Sequence, residues 1–235
     1  VDQRMFGSGK GAEPEEERIE KIGGADPGQD QQPEDEPRIG KLRRRAAAEP
    51  GYGHAVPERF GDYRAAPARP QPSGGAPLVW LDAVSLGETR AAAIVLPHLR
   101  AQWPGMRLLL THGTATGRAE GAALLQPGDV QLWQPWDTRA ATRRFVHAYR
   151  PDLGVLMETE VWPNLVQACV DLGVPLALAN ARLSDKSLRG ALRTGGLLAA
   201  AYRALAAVYA QTEADAARFR QLGAPVAGVL GNLKF

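Results

Sequence analysis

VWLDAVSLGETRAA, Val79 to Ala92, sets an apolar run, a small polar break and an amphipathic run end to end. That succession reads as strand, tight turn and helix, with Ser85 and Gly87 making the turn. Glu88 then falls in the first helical turn, where unpaired backbone N–H groups and the helix dipole favour negative charge. A carboxylate and an anion-attracting helix start therefore share one crevice. Complementing the dipole would by itself account for Glu88, so the residues on either side must say whether it does more.

Working outward, comparable apolar runs recur at Leu78–Val84, Arg107–Thr111, Val130–Trp133, Leu153–Met157, Pro175–Ala179, Ala207–Ala210 and Val226–Leu230, most of them separated by helix-like stretches. Continuous apolar strands alternating with helices predict a doubly wound, Rossmann-like α/β domain over residues 77–235, its parallel sheet covered on both faces. Functional groups then gather at the carboxyl ends of the strands. Those ends are polar: SLGE, THGTATGR, METEVWPN, NARLSDKS, QTEAD and GNLKF. Thr114, Thr116 and Gly117 offer hydroxyl and backbone N–H groups to an anion, or simply cap a helix. Glu158 and Glu160, two apart in an extended run, are expected to point to one side of the sheet as a metal site or an acid/base pair. Arg182 offers a bidentate grip on phosphate or carboxylate, Asn180 serves the same role, and Ser184 is a ready N-cap. Trp133, Trp136 and Trp162 either line an apolar groove or pack in the core and rim.

Composition removes several classes. At 235 residues and 44% hydrophobic content the chain can build a substantial core. Cys169 is the single cysteine, read as a buried helix residue, so no internal disulfide framework exists and a reducing, cytoplasmic compartment fits. No apolar run is long enough to span a bilayer, and no secretory signal pattern is present. His54, His98, His112 and His147 are scattered, without zinc spacing, and each reads as a surface or satisfied polar residue. A GxGxxG fingerprint is lacking after the first strand, which counts against a dinucleotide-dependent oxidoreductase. GSGKG at Gly7–Gly11 resembles a phosphate loop, but Arg4 and Gly11 stand where that loop needs glycine and Ser or Thr, and no strand precedes it.

Charge divides the chain. Residues 1–36 carry eleven acidic and four basic residues, and the remainder fifteen acidic and twenty-four basic. The first segment, poor in large apolar residues, is expected to be a disordered acidic tail. Residues 37–76 form a basic segment and linker whose RIGKLRRR, Arg38–Arg45, either lies against anionic lipid headgroups or is a solvated helix start. A positive body fits an anionic small-molecule or membrane partner, and no nucleic acid is expected.

PGYGHAVPERFG, VSLGETRAA, TATGRAEG, LMETEVWPNL, LANARLSDKS, AQTEADAARF and GNLKF, in this order, together resemble the Kdo (3-deoxy-manno-octulosonic acid) transferases of lipopolysaccharide synthesis, from Arg38 to Phe235. The resemblance implies a GT-B glycosyltransferase of two Rossmann-like halves, of which this chain holds the amino-terminal, acceptor-binding one. By the same resemblance the carboxyl-terminal half, holding most of the donor CMP-Kdo, is expected beyond Phe235. It further implies inverting transfer to a glucosamine hydroxyl of the lipid A precursor, lipid IVA, at the cytoplasmic face of the bacterial inner membrane, without a metal or other cofactor. Glu88 matches the general base, Glu160 a second glutamate near the reaction centre, and Arg182 an anion contact. Ser85, Gly87, Thr114, Thr116, Gly117, Asn180, Arg182, Ser184 and Lys234 make up the expected substrate rim. Three departures stand out: Asp82 where the family usually has histidine, Ala115 where it usually has proline, and the acidic tail where it commonly has a hydrophobic anchor. A truncated relative that holds an acidic glycolipid without catalysis is the alternative.

Overall fold

The computed structural model describes residues 36–193 and 196–233. The acidic tail through residue 35, GSGKG within it, and Lys234 lie outside the described residues. The chain divides into two units between Gly40 and Lys41, and helix α1 (Glu36–Ala48) crosses that division. The unit from Lys41 holds the sheet.

Seven strands, β1 (Leu78–Asp82), β2 (Arg107–His112), β3 (Val130–Trp133), β4 (Leu153–Met157), β5 (Leu176–Ala181), β6 (Ala207–Ala210) and β7 (Val226–Val229), form one sheet in the order β3-β2-β1-β4-β5-β6-β7. Every pairing is parallel. All seven fall on the apolar runs of the sequence. Strands buried on both faces read as unbroken hydrophobic stretches rather than alternating ones, and β1 is buried at every position.

Helices α2 (Leu86–Gln102) and α3 (Ala115–Gly121) follow β1 and β2; α4 (Arg139–Tyr149), α5 (Pro163–Asp171), α6 (Asp185–Arg193), α7 (Leu197–Arg203) and α8 (Glu213–Gln221) follow the later strands. Alternation along the strands sorts the core into two layers. Leu78 and Trp80 join Phe145, Tyr149, Leu165 and Phe219 on one side, while Val79 and Leu81 join Ala91, Leu96 and Met157 on the other. The sheet is thus doubly wound and Rossmann-like. Gly154 of β4 is fixed by packing: a Cβ there would sit 2.7 Å from the Trp80 ring and 2.4 Å from Leu176 Cδ2.

The segment before β1 is no bare linker. Its 3-10 turns Pro50–Gly53 and Val56–Phe60 bring Tyr52 parallel to Trp133 at 6.0 Å between centroids. Trp133 is fully buried, which assigns it to the core rather than to a groove, whereas Trp162 is exposed. Cys169 is buried in α5 as expected.

The order of the strands locates the crevice. The direction in which the sheet is laid down reverses between β1 and β4, and in open α/β sheets ligands bind beyond the carboxyl ends of strands at such a switch point. The loops that flank it are the ones leading from β1 into α2 and from β4 into α5.

Candidate functional site

At the β1 exit the chain runs straight into α2. Ser85 is the N-cap, its Oγ accepting the Glu88 N–H, so Gly87 lies inside the first helical turn and not in the preceding turn as its composition implied. The correction follows from capping: once Ser85 satisfies the helix start, no glycine turn is needed. Glu88 closes the reciprocal half of the cap. Its Oε1 accepts from Ser85 Oγ at 2.9 Å and its Oε2 from the Val84 N–H at 2.8 Å. It is buried, and burial above all, then the charge of Glu160, raises its pKa to about 7; the Ser85 and Val84 hydrogen bonds pull the other way and Glu158 adds to the rise. A carboxylate poised there can exchange a proton near neutral pH.

Beneath it, Asp82 ends β1 fully buried. Thr111 Oγ1 donates to its Oδ1 and Gln134 Nε2 to its Oδ2, while Trp80 Nε1 donates to Thr111 Oγ1. Burial and then the charges of Glu160 and Glu88 hold its pKa well above the usual carboxylate range. Across the switch point, Glu158 and Glu160 do not share a face as the extended-run reading expected. β4 ends at Met157 and Glu158 adopts φ +59°, a left-handed conformation that breaks strand alternation. Glu158 is buried, its N–H donating to Ala179 O. Glu160 is half-buried and accepts from Trp162 Nε1 at 2.9 Å; desolvation first raises its pKa, and Glu158 raises it further. Glu88, Glu158, Glu160 and Asp82 thus act on one another electrostatically around the crevice. Among the described residues no group of three or more His, Cys, Asp or Glu is arranged to hold a metal ion.

The remaining predicted residues divide. Thr114 caps α3, accepting from the Gly117 N–H, and its own hydroxyl donates to Val84 O. Gly117 lets that helix approach the β1 loop: a Cβ would lie 3.1 Å from the Ser85 carbonyl carbon. Thr116 is exposed at the same edge. Asn180 is buried at φ +52°, its Oδ1 accepting the Leu233 N–H and its Nδ2 lacking a hydrogen-bond partner. Arg182 is exposed, and its N–H donates to Glu158 O. Ser184 caps α6 through the Ser187 N–H. Of the histidines, His112 is buried, with Nδ1 2.8 Å from Ala83 O, and burial lowers its pKa to about 4.

Glu58 and Arg59 were not singled out in the sequence. Glu58 Oε2 accepts the Trp133 N–H at 2.7 Å and pairs with Arg118. Both members of the PERF string are buried. A charged pair amid glycines, prolines and aromatics was the one available signal, and it does not distinguish a solvated turn from a buried one.

Residues 54–235 match the family model described as 3-deoxy-D-manno-octulosonic-acid transferase (kdotransferase). The chain belongs to the Kdo transferase family. The 3-deoxy-D-manno-octulosonic acid transferase of Bordetella pertussis is 49% identical over 185 residues, 77% of this chain and 42% of that protein. The one from Haemophilus influenzae is 29% identical over 188 residues, 79% of this chain and 43% of that protein. The chain therefore spans about two fifths of the length of the curated Kdo transferases it matches. Among solved structures, the UDP-GlcNAc 2-epimerase from Neisseria meningitidis bound to UDP-GlcNAc aligns with 66% of this chain and 47% of its own at 12% identity, with a TM-score of 0.49.

Proposed function

We propose that this chain is the acceptor-binding half of a glycosyltransferase that moves Kdo from CMP-Kdo to a glucosamine hydroxyl of the lipid A precursor, lipid IVA. The observation that carries the reading is Glu88: a buried carboxylate at the carboxyl end of β1, anchored by Ser85 and Val84, with a pKa of about 7, in a chain that belongs to the Kdo transferase family. In the proposed step Glu88 takes the proton of the acceptor hydroxyl as its oxygen attacks the anomeric carbon of Kdo. The bond to CMP breaks, its electron pair leaves on the CMP phosphate, and configuration inverts.

Each Glu88 oxygen accepts one hydrogen bond from the protein and keeps lone-pair capacity for a substrate proton. Ser85 and Val84 fix the carboxylate's direction, which is the positioning a general base needs. Glu160 lies on the opposite lip of the switch point and keeps Glu88's proton affinity high. Thr114, Thr116, Gly117, Asn180, Arg182 and Ser184 are proposed substrate contacts along the rim, and Lys234 is a further proposed contact. No metal or other cofactor takes part in the proposed step. Arg43, Arg44 and Arg45 of α1 are exposed and carry the proposed attraction to an anionic membrane, at its cytoplasmic face. No helix among the described residues is long and apolar enough to cross a membrane.

The test uses a version of the protein extended to the full length of its relatives. Glu88→Gln is expected to lower kcat by about 100-fold to 10,000-fold with KM for the acceptor little changed, the range general-base assistance spans. Turnover of the folded variant near that of the parent removes Glu88 from the role.

A further inference from the structure

Away from the carboxylates, the same rim carries a cluster of opposite sign. Three guanidinium groups gather on the Tyr52–Trp133 pair: Arg59 Cζ lies 3.8 Å from the Trp133 ring, Arg118 Cζ 5.0 Å from that ring, and Arg45 Cζ 5.6 Å from the Tyr52 ring. Among the described residues one carboxylate, Glu58, pairs with this cluster, and it is engaged by Arg118 and the Trp133 N–H. Arg59 is 4% exposed and donates through Nη2 to Gly113 O at 3.2 Å; among the described residues it makes no ion pair and its buried Nε–H has no hydrogen-bond partner. Folding does not ordinarily bury a cation that way, because an ion withdrawn from water needs a counter-charge or full hydrogen bonding.

We propose that Arg59, with Arg45 and Arg118 around it, forms a subsite for a phosphate monoester, and that its occupant is the phosphate of the anionic sugar acceptor. The proposal rests on the acceptor-half reading above. Three positive groups against one carboxylate leave a surplus that a phosphate monoester, carrying about −1.5 to −2 at neutral pH, matches more closely than a single carboxylate does. Planar guanidinium forks are suited to phosphate oxygens, and the aromatic pair holds their planes. The cluster also has the right address. Arg59 donates to Gly113 O, the Gly113 N–H donates to Val84 O, and the Val84 N–H donates to Glu88 Oε2. These hydrogen bonds, joined through the backbone of Gly113 and Val84, link the Arg59 side chain to the loop that carries the proposed base, so a phosphate held at Arg59 would orient the sugar that bears it. Burial above all lowers the Arg59 pKa to about 10; Tyr52 and Glu58 oppose the shift, and Arg118 and Arg45 add to it.

The probe is inorganic phosphate, titrated into this chain at constant ionic strength while the arginine Nε–H resonances are followed. The Arg59 resonance is expected to move as it gains an acceptor, with chloride giving no such response. Arg59→Lys keeps the charge but not the fork, and is expected to weaken phosphate binding by about 10-fold, the scale of one lost charge-assisted hydrogen bond. Arg45→Ala, at an exposed position, is expected to weaken it less and serves as the variant that leaves the fold untouched. Binding unchanged in both variants, or a response no larger than that to chloride, overturns the subsite. Glucosamine 1-phosphate and short-chain phosphatidic acid then compete for the site. Competition by the sugar phosphate supports the acceptor as source, and competition by phosphatidic acid alone overturns that assignment. Loss of the subsite with Glu88-dependent transfer intact in the extended protein refutes this inference and leaves the transferase reading standing; phosphate binding at Arg59 in an extended protein that transfers nothing refutes the transferase reading and the acceptor as occupant, and leaves only the phosphate subsite standing.

Discussion

Glu88 holds its proton more tightly in the folded protein than a free carboxyl does, so its titration is written into the stability of the chain. Its pKa is raised from 4.5 to about 7, chiefly by burial and then by Glu160. A raised carboxyl contributes stability that is fully present below the ordinary carboxyl range and is lost as pH rises through about 7, because the unfolded chain releases the proton first. Asp82 and Glu160 are shifted the same way, so the parent must be compared with Glu88→Gln, which removes only one of these titrations. The variant is expected to gain on the parent between about pH 5 and 8, by on the order of 2 kcal/mol. Urea unfolding across that range measures it. A difference that stays flat with pH would mean that Glu88 titrates normally. Sequence placed this carboxylate at a helix start, but its proton affinity comes chiefly from its burial in the assembled fold and then from Glu160 on another loop.

At the scale of the element, the cap that starts α2 also orients the proposed base. Ser85 Oγ accepts the Glu88 N–H and donates to Glu88 Oε1, so one hydroxyl serves both. Ser85→Ala is expected to cost about 1 kcal/mol, the usual value of a lost N-cap. It is also expected to push the Glu88 pKa further up, since the Ser85 hydrogen bond lowers it. Thermal unfolding and carbonyl-detected titration of Glu88 check the two effects, and a variant matching the parent in both would show the cap to be incidental. Serine followed three residues later by glutamate is a capping box that the sequence displays openly. Glu158 was less legible: nothing in METEVWPN announces a left-handed residue, and the rule of alternating faces carried past the true end of β4.

For the whole molecule, the proposed division of labour has a direct consequence. The chain spans about two fifths of its curated relatives, and the donor pocket is expected on the part it does not include. Residues 1–235 are therefore expected to bind a soluble lipid A precursor analogue but neither CMP nor CMP-Kdo, and to transfer nothing alone. Without the donor half, orientation of the reactants and stabilisation of the leaving group are both missing, and these supply much of an enzyme's rate. Titration calorimetry with each compound, followed by a transfer assay, checks this, and transfer by this chain alone would defeat the division.

Local chemistry sufficed for the strands, the helices between most of them, the placing of Glu88 in a first helical turn and the set of polar strand ends. Strands buried on both faces must be apolar throughout, and helix starts must be capped, so both leave marks within a few residues. The order β3-β2-β1-β4, which puts the Glu88 and Glu160 loops on two lips of one crevice, is a matter of pairing between segments some 70 residues apart and leaves no such mark. The same holds for Asp82, gripped by Thr111 and Gln134, and for Arg59, laid on Trp133 from a segment that reads as linker. Burial of a charged residue depends on which distant groups come to surround it, and only the assembled fold brings those groups within hydrogen-bonding reach.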